Sequence, residues 1–435
     1  MTDSESANAE AGRGLAPGKS CWWRTLGPGL ITGAADDDPS GIATYAQAGT
    51  QFGLGIAWTL ILTYPLMVAI QAICARIGRT TGHGIAGNLR KYYPNWILQG
   101  IVALLFTANV LNLGADLGAM AESTRLLIPV PAWIAVIVFG AITIWGQVVL
   151  KHTRYVAVLK WLTLSLFAYF GTLATVRIPW GELVRGLVWP QLSLNREFWV
   201  MVVAILGTTI SPYLFFWQAA QEVEDTKARS SWEPLLQAPS QAPEAIARIR
   251  ADTLVGMAFS NLVGLAILVT SAVTLHAHGV RDVGTAAQAA EALRPVAGTW
   301  AFTLFALGIV GTGLLSVPVL ATSAAYALGE ARHWPVGLSQ SPRRARAFYA
   351  AIVLATGLGA VGNVLKLSPI KALVWAAVIN GIVAVPVMVL VVLLGTRSDV
   401  MGRFRISRRL SVAGWCATAV MAGASVLFVC SLFWP

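Results

Sequence analysis

Three consecutive aspartates, Asp36, Asp37 and Asp38, followed by Pro39, Ser40 and Gly41, stand in the middle of an apolar run over residues 26 to 52. An aspartate at the centre of a membrane helix costs on the order of 2.5 to 3.5 kcal/mol on insertion scales. Three in succession must therefore face a cation, a water-filled cavity, or both. Pro39 removes a backbone donor and Gly41 loosens the turn, so the helix breaks there and leaves carbonyl oxygens free. Carboxylates beside freed carbonyls suit a hard cation, which prefers oxygen ligands, and do not suit an anion or a neutral solute. The device recurs in a second apolar run, 198 to 221, where Gly207, Thr208, Thr209, Ile210, Ser211, Pro212 and Tyr213 interrupt a hydrophobic stretch that continues to Trp217. A metal or substrate site between the two breaks is the direct reading.

The elements that must position these residues follow from composition. Of 435 residues, 56% are hydrophobic and only 12% charged, against roughly 25% charged in a soluble domain. Mean hydropathy is +0.66. Soluble enzymes and nucleic-acid binders are thereby excluded, and the solvent for most of the chain is a lipid bilayer. Apolar stretches give eleven predicted spans, at 26 to 52, 55 to 76, 96 to 121, 132 to 150, 155 to 176, 198 to 221, 253 to 276, 297 to 328, 346 to 365, 370 to 395 and 411 to 434. The breaks fall in spans one and six, where a five-plus-five inverted repeat places a matched pair. The expected organisation is a disordered cytoplasmic segment, 1 to 24, and one transmembrane domain, 25 to 435. Within it, repeat one covers 25 to 177, repeat two 197 to 395, and 411 to 434 is an extra helix. With the N-terminus cytoplasmic, 23 of the 31 Lys and Arg lie in loops on that side, which orients the chain with its C-terminus opposite. Residues 222 to 252, rich in Pro, Gln, Ser and charge, read as a cytoplasmic loop with room for one short amphipathic helix. The four cysteines are scattered, with no CxxC spacing, and read as small hydrophobes. Nothing in the first 20 residues reads as a cleavable signal peptide.

At the two breaks the sequence resembles the Nramp family of divalent-metal transporters. The family's DPGN motif corresponds to Asp38-Pro39-Ser40-Gly41, and its MPH motif to Ser211-Pro212-Tyr213. The segment from Gln71 to Gly84 looks like the family's ending of span two. The resemblance implies an all-α membrane protein of LeuT-like fold with eleven transmembrane helices, and metal ligation by Asp38 and the carbonyls of Ala35 and Thr208. It also marks departures. The family's Asn position is Gly41 and its Met position is Ser211, so one side-chain ligand and the soft sulfur are missing. The sixth-span histidines align with Tyr213 and Gln218, and no acid lies between Asn109 and Gly114. Asp116 is left either as a relay or as a polar group paired with Asn109 or Asn112.

This pattern resembles the divergent Nramp-related magnesium transporters. Mg²⁺ dehydrates reluctantly and is held, with several waters, by one or two carboxylates. A site with Gly41 and Ser211 in place of bulkier ligands has room for that water, and Asp37 or Asp36 supplies outer contacts. The expected function is Mg²⁺ uptake, with Mn²⁺ also passing, by alternating access without proton coupling; the alternative is a proton-coupled Mn²⁺ symporter of the ordinary family type. A sodium-coupled organic-solute carrier and an intramembrane aspartyl protease are the readings from other classes, the latter opposed by the absence of GxGD. Expected partners are the divalent ion and the lipid bilayer of the plasma (inner) membrane, with no cofactor and no nucleic acid, for a monomeric chain. Gln71, Asn261 and Asn380 read as interhelical hydrogen-bonding groups, with lining of the path as the alternative, Trp96 and Trp180 as interfacial, and Trp217 and Trp375 as deeper packing.

Overall fold

The computed structural model describes residues 32–33, 35–149, 167–193, 195–229, 231–294, 298–363 and 368–433, and all regular structure among them is helical. The expected segment 1 to 24 and most of the predicted fifth span lie outside the described residues. The principal helices are α1 Pro39–Phe52, α2 Trp58–Thr81, α3 Ile85–Tyr92, α4 Asn95–Arg125, α5 Ala132–Val149, α6 Phe167–Thr175 and α7 Trp180–Val188. They continue with α8 Arg196–Thr209, α9 Pro212–Ala228, α10 Ala242–Thr274, α11 Ala286–Glu291, α12 Ala301–Ala331, α13 Arg346–Gly362, α14 Pro369–Thr396, α15 Ser398–Met401 and α16 Arg408–Ser431. Taking α8 and α9 as one interrupted span, eight described segments are long and apolar enough to cross a bilayer, and α13 is a shorter apolar helix.

Burial sorts these helices into an inner and an outer set. The interrupted span is almost wholly enclosed, whereas α5 and α16 turn most of their apolar surface outward, as lipid-facing helices do. Ile137, Trp145, Val426 and Val429 are among the exposed residues. Around the interrupted span, α1 packs on α10, α8 on α14, and α9 on α2 and α12. Small residues permit these approaches. A Cβ at Gly207 would fall 2.0 Å from the Ala377 carbonyl, so only glycine lets α8 close on α14 immediately before its break. Pro65 and Pro386 lie inside the continuous helices α2 and α14. Proline alone therefore does not interrupt a span here.

Two expectations are corrected. The stretch 222 to 252 is not mainly a loop: α9 runs on to Ala228 and α10 begins at Ala242, some three turns before the predicted span. Charged residues in it pair with one another locally, which is why hydropathy alone misplaced the boundary. Arg248 pairs with the fully buried Glu222. The guanidinium groups of Arg229, Arg79 and Arg248 lie 3.9, 4.9 and 5.4 Å from the Trp232 ring centre, within range of cation–π attraction. Trp375, expected to be packed deep, is 45% exposed, while Trp217 is buried as expected. Trp96 and Trp180 are strongly exposed. Asn261 links α10 to α2 through its side-chain amide and the Leu60 carbonyl at 3.0 Å.

Candidate metal site

The first break is built by three residues that refuse to continue the same helix. Ala35 and Asp36 are helical, Asp37 bends, and Asp38 is extended at φ −69° and ψ 171°. Pro39, whose fixed φ suits a first helical position, then opens α1. Asp38 caps it: the Gly41 N–H donates to Asp38 Oδ1 at 2.6 Å, satisfying one of the donors that every helix start leaves open. The other oxygen, Oδ2, accepts from the Asn112 side-chain amide of α4 at 3.1 Å and lies 3.3 Å from the Tyr213 hydroxyl of α9. That hydroxyl is also 3.1 Å from the Ala35 carbonyl oxygen. It has one proton to donate, so a carboxylate oxygen, a carbonyl oxygen and a phenol oxygen converge on one buried point.

The second break uses the same backbone plan with other chemistry. Ile210 leaves the helix at φ −120° and ψ 56°, Ser211 is extended, and Pro212 opens α9. Ser211 does not cap the helix that follows. Its hydroxyl donates backward to the carbonyls of Gly207 at 2.7 Å and Thr208 at 2.9 Å, which α8 would otherwise leave unpaired at its end. The two breaks meet at Gly41. A Cβ there would stand 3.2 Å from the Asp36 carbonyl oxygen, 3.3 Å from Thr208 Oγ1 and 3.6 Å from Asp38 Oδ1. Thr208 Oγ1 is buried and has no hydrogen-bond partner among the described residues.

Ala35, Asp38, Gly41, Thr208, Ser211 and Tyr213 therefore gather at the facing breaks. Asp37 and Gln218 point elsewhere. Asp37 and Asp36 turn to α10, where the Ser260 hydroxyl lies 2.5 Å from Asp36 Oδ2 and 3.4 Å from Asp37 Oδ1. Gln218 accepts a hydrogen bond from the Thr32 hydroxyl through its side-chain oxygen. Asp116 is paired with neither suggested asparagine. It accepts from Ser316 at 3.0 Å, while Asn109 donates to the Leu320 carbonyl and Ser323 and Asn112 serves Asp38. In the sequence Asn112 stands out without its partner, and Ser260 does not stand out at all. The signal for each was a polar side chain inside an apolar run, which does not say which way it faces.

Among the described residues no cluster of three or more His, Cys, Asp or Glu side chains is arranged to enclose a metal ion. An ion at the breaks would meet one carboxylate and otherwise neutral oxygens. Such a donor set fits a hard, partly hydrated divalent cation passing through, and does not fit a tightly held structural zinc.

The family model for natural resistance-associated macrophage protein-like (Nramp) proteins matches residues 29–431. The chain is similar to the divalent metal cation transporter MntH of Ralstonia nicotianae, 28% identical over 430 residues and covering 95% of this chain and 93% of that one. It is 26% identical to the MntH of Aeromonas hydrophila over 421 residues, 94% of this chain and 95% of the other. In three dimensions it resembles the manganese transporter of Eremococcus coleocola in complex with an aromatic bis-isothiourea compound. The TM-score is 0.75 at 17% identity, with 96% of this chain and 88% of that chain covered. A more distant likeness is to Mhp1, a nucleobase-cation-symport-1 family transporter, with a TM-score of 0.52 at 15% identity, covering 94% and 92%. The fold is thus that of the LeuT-like transporters.

Proposed function

Because the chain belongs to the Nramp family, a family of membrane transporters and not of enzymes, we propose that it carries divalent metal cations across the plasma membrane by alternating access around Asp38, with Mg²⁺ accepted alongside Mn²⁺. The observation that carries this reading is the junction of the two breaks, where one carboxylate, the Ala35 carbonyl and the Tyr213 hydroxyl converge. A divalent charge in low dielectric needs a carboxylate to compensate it, and one carboxylate with neutral oxygens makes a weak, exchangeable site. Among the described residues the second break offers no sulfur, since the residue there is Ser211. A thioether would favour softer ions over Mg²⁺, and its absence removes that discrimination. Repeats 25 to 177 and 197 to 395 rock about the site, and the N-terminus is cytoplasmic.

A second reading, manganese transport driven by protons, draws on the names of the relatives, one of them a manganese transporter, and on the buried Asp116, which offers a carboxylate near the path. One experiment separates the two. In proteoliposomes holding an internal pH dye, excess Mg²⁺ slows Mn²⁺ uptake and the lumen does not acidify in step with metal entry. Uptake indifferent to millimolar Mg²⁺ and accompanied by acidification establishes the manganese symporter instead.

A further inference from the structure

Asp36 and Asp37 are left over by the Asp38 site. Both are fully buried, and both turn away from Tyr213 and Asn112 toward α10, where they share Ser260. Each keeps one oxygen without a hydrogen-bond partner among the described residues: Oδ1 of Asp36 and Oδ2 of Asp37. No Lys, Arg or His among the described residues donates to either carboxylate. A buried carboxylate left uncompensated is too costly to be retained as mere packing.

A separate observation indicates a ligand. Tyr45 of α1 is fully buried, yet its hydroxyl also lacks a partner. Its ring lies against Gly264, one turn along α10 from Ser260; a Cβ on Gly264 would fall 2.8 Å from Tyr45 Cζ. Side chains on a helix lean toward its N-terminus, so Tyr45, seated beside Gly264, leans back along α1 toward the break and the Ser260 turn of α10. Asp36, Asp37, Ser260 and Tyr45 thereby share the seam between α10 and the broken first span.

We propose that Asp36, Asp37, Ser260 and Tyr45 form a second cation site, for a hard divalent ion, beside the transport site. Two carboxylates balance a divalent charge, whereas a monovalent ion would leave one negative charge buried. Hydroxyl and carboxylate oxygens with no nitrogen or sulfur among them select Mg²⁺ or Mn²⁺ over softer metals. The inference rests on the divalent-cation reading of Asp38, and the test keeps the two apart.

Equilibrium binding of Mn²⁺ to the purified full-length chain in lipid nanodiscs, read by the loss of the free-ion EPR signal, is expected to give two ions per chain. Asp38→Ala leaves one, and the double variant Asp36→Asn, Asp37→Asn also leaves one. Ser260→Ala, a milder change that preserves both carboxylates, weakens one of the two ions about tenfold, as loss of a supporting hydrogen bond does, and leaves the other unchanged. One ion in the unmodified chain, lost with Asp38→Ala and kept by the double variant, overturns the second site and spares the Asp38 reading. One ion lost with the double variant and kept by Asp38→Ala does the reverse. A double variant that still binds two ions, and alters only the pH dependence of flux, overturns the proposal by assigning the pair to a proton.

Discussion

The two breaks share a backbone plan and differ in what their cap residues do. Each ends a helix, passes one residue, Asp38 or Ser211, through extended backbone, and restarts with a proline at the first helical position. At the first break the residue before the proline, Asp38, points its carboxylate forward and caps the helix that follows. At the second, Ser211 points its hydroxyl backward and satisfies the helix that ends. The forward cap keeps a charged oxygen free to face Asn112, Tyr213 and an ion. The backward bond spends the Ser211 proton on the Gly207 and Thr208 carbonyls of its own helix, leaving the second break to contribute mainly shape. A broken helix is thus a scaffold whose chemistry is set by one side chain.

The largest test of this contrast is Asp38→Ala, expected to reduce Mg²⁺ and Mn²⁺ flux in proteoliposomes roughly 100-fold or more, equivalent to about 3 kcal/mol. Asp38→Asn separates the two duties of that residue. Asparagine caps as well as aspartate, so thermal unfolding stays near that of the unmodified chain while flux is lost. Flux retained by Asp38→Asn would mean that the first break, like the second, works through shape.

A smaller but sharper effect is expected from giving the second break a ligand. Ser211→Met with Gly41→Asn places a sulfur and an amide at the junction, and Mn²⁺ and Cd²⁺ uptake should gain about tenfold over Mg²⁺ in competition assays. The position at Gly41 is tight, with oxygens 3.2 to 3.6 Å from the added Cβ, so the single variant Ser211→Met is measured beside it. An unchanged preference in both would show that the ion does not reach the second break.

Tyr213→Phe removes a hydroxyl that joins the breaks. The Mg²⁺ KM should rise about three- to tenfold with a smaller change in kcat, the mark of lost hydrogen bonding to a bound, hydrated ion. Last comes Ser211→Ala. Its hydroxyl serves only its own helix, so unfolding should show a loss of about 1 kcal/mol while flux changes less than twofold. A transport defect comparable to that of Asp38→Ala would erase the distinction between the breaks.

Much of this was legible in the chain. Asp38-Pro39 and Ser211-Pro212 announce breaks because proline cannot donate and because acids cannot face lipid. Pro65 and Pro386, without such neighbours, sit in unbroken helices. Span positions follow from hydropathy wherever polar groups are scarce. They fail at 242 to 252, where the helix that becomes α10 starts among charged residues held by Glu222, Arg248 and Trp232.

Sequence by itself determined that the chain spans a membrane, that two spans are broken, and that Asp38 stands at one break, since each follows from composition and local backbone chemistry. Only the tertiary structure decided which way the polar side chains face. Asp36, Asp37 and Asp38 are neighbours in sequence, yet a bend of one residue sends Asp38 toward α4 and α9 and the other two toward Ser260 on α10. Asn112 and Asp116 are one turn apart on α4, and only the helices packed against them assign one to Asp38 and the other to Ser316. Hydrogen bonds reach about 3 Å, so a partner more than 70 positions away along the chain is chosen by how the helices pack.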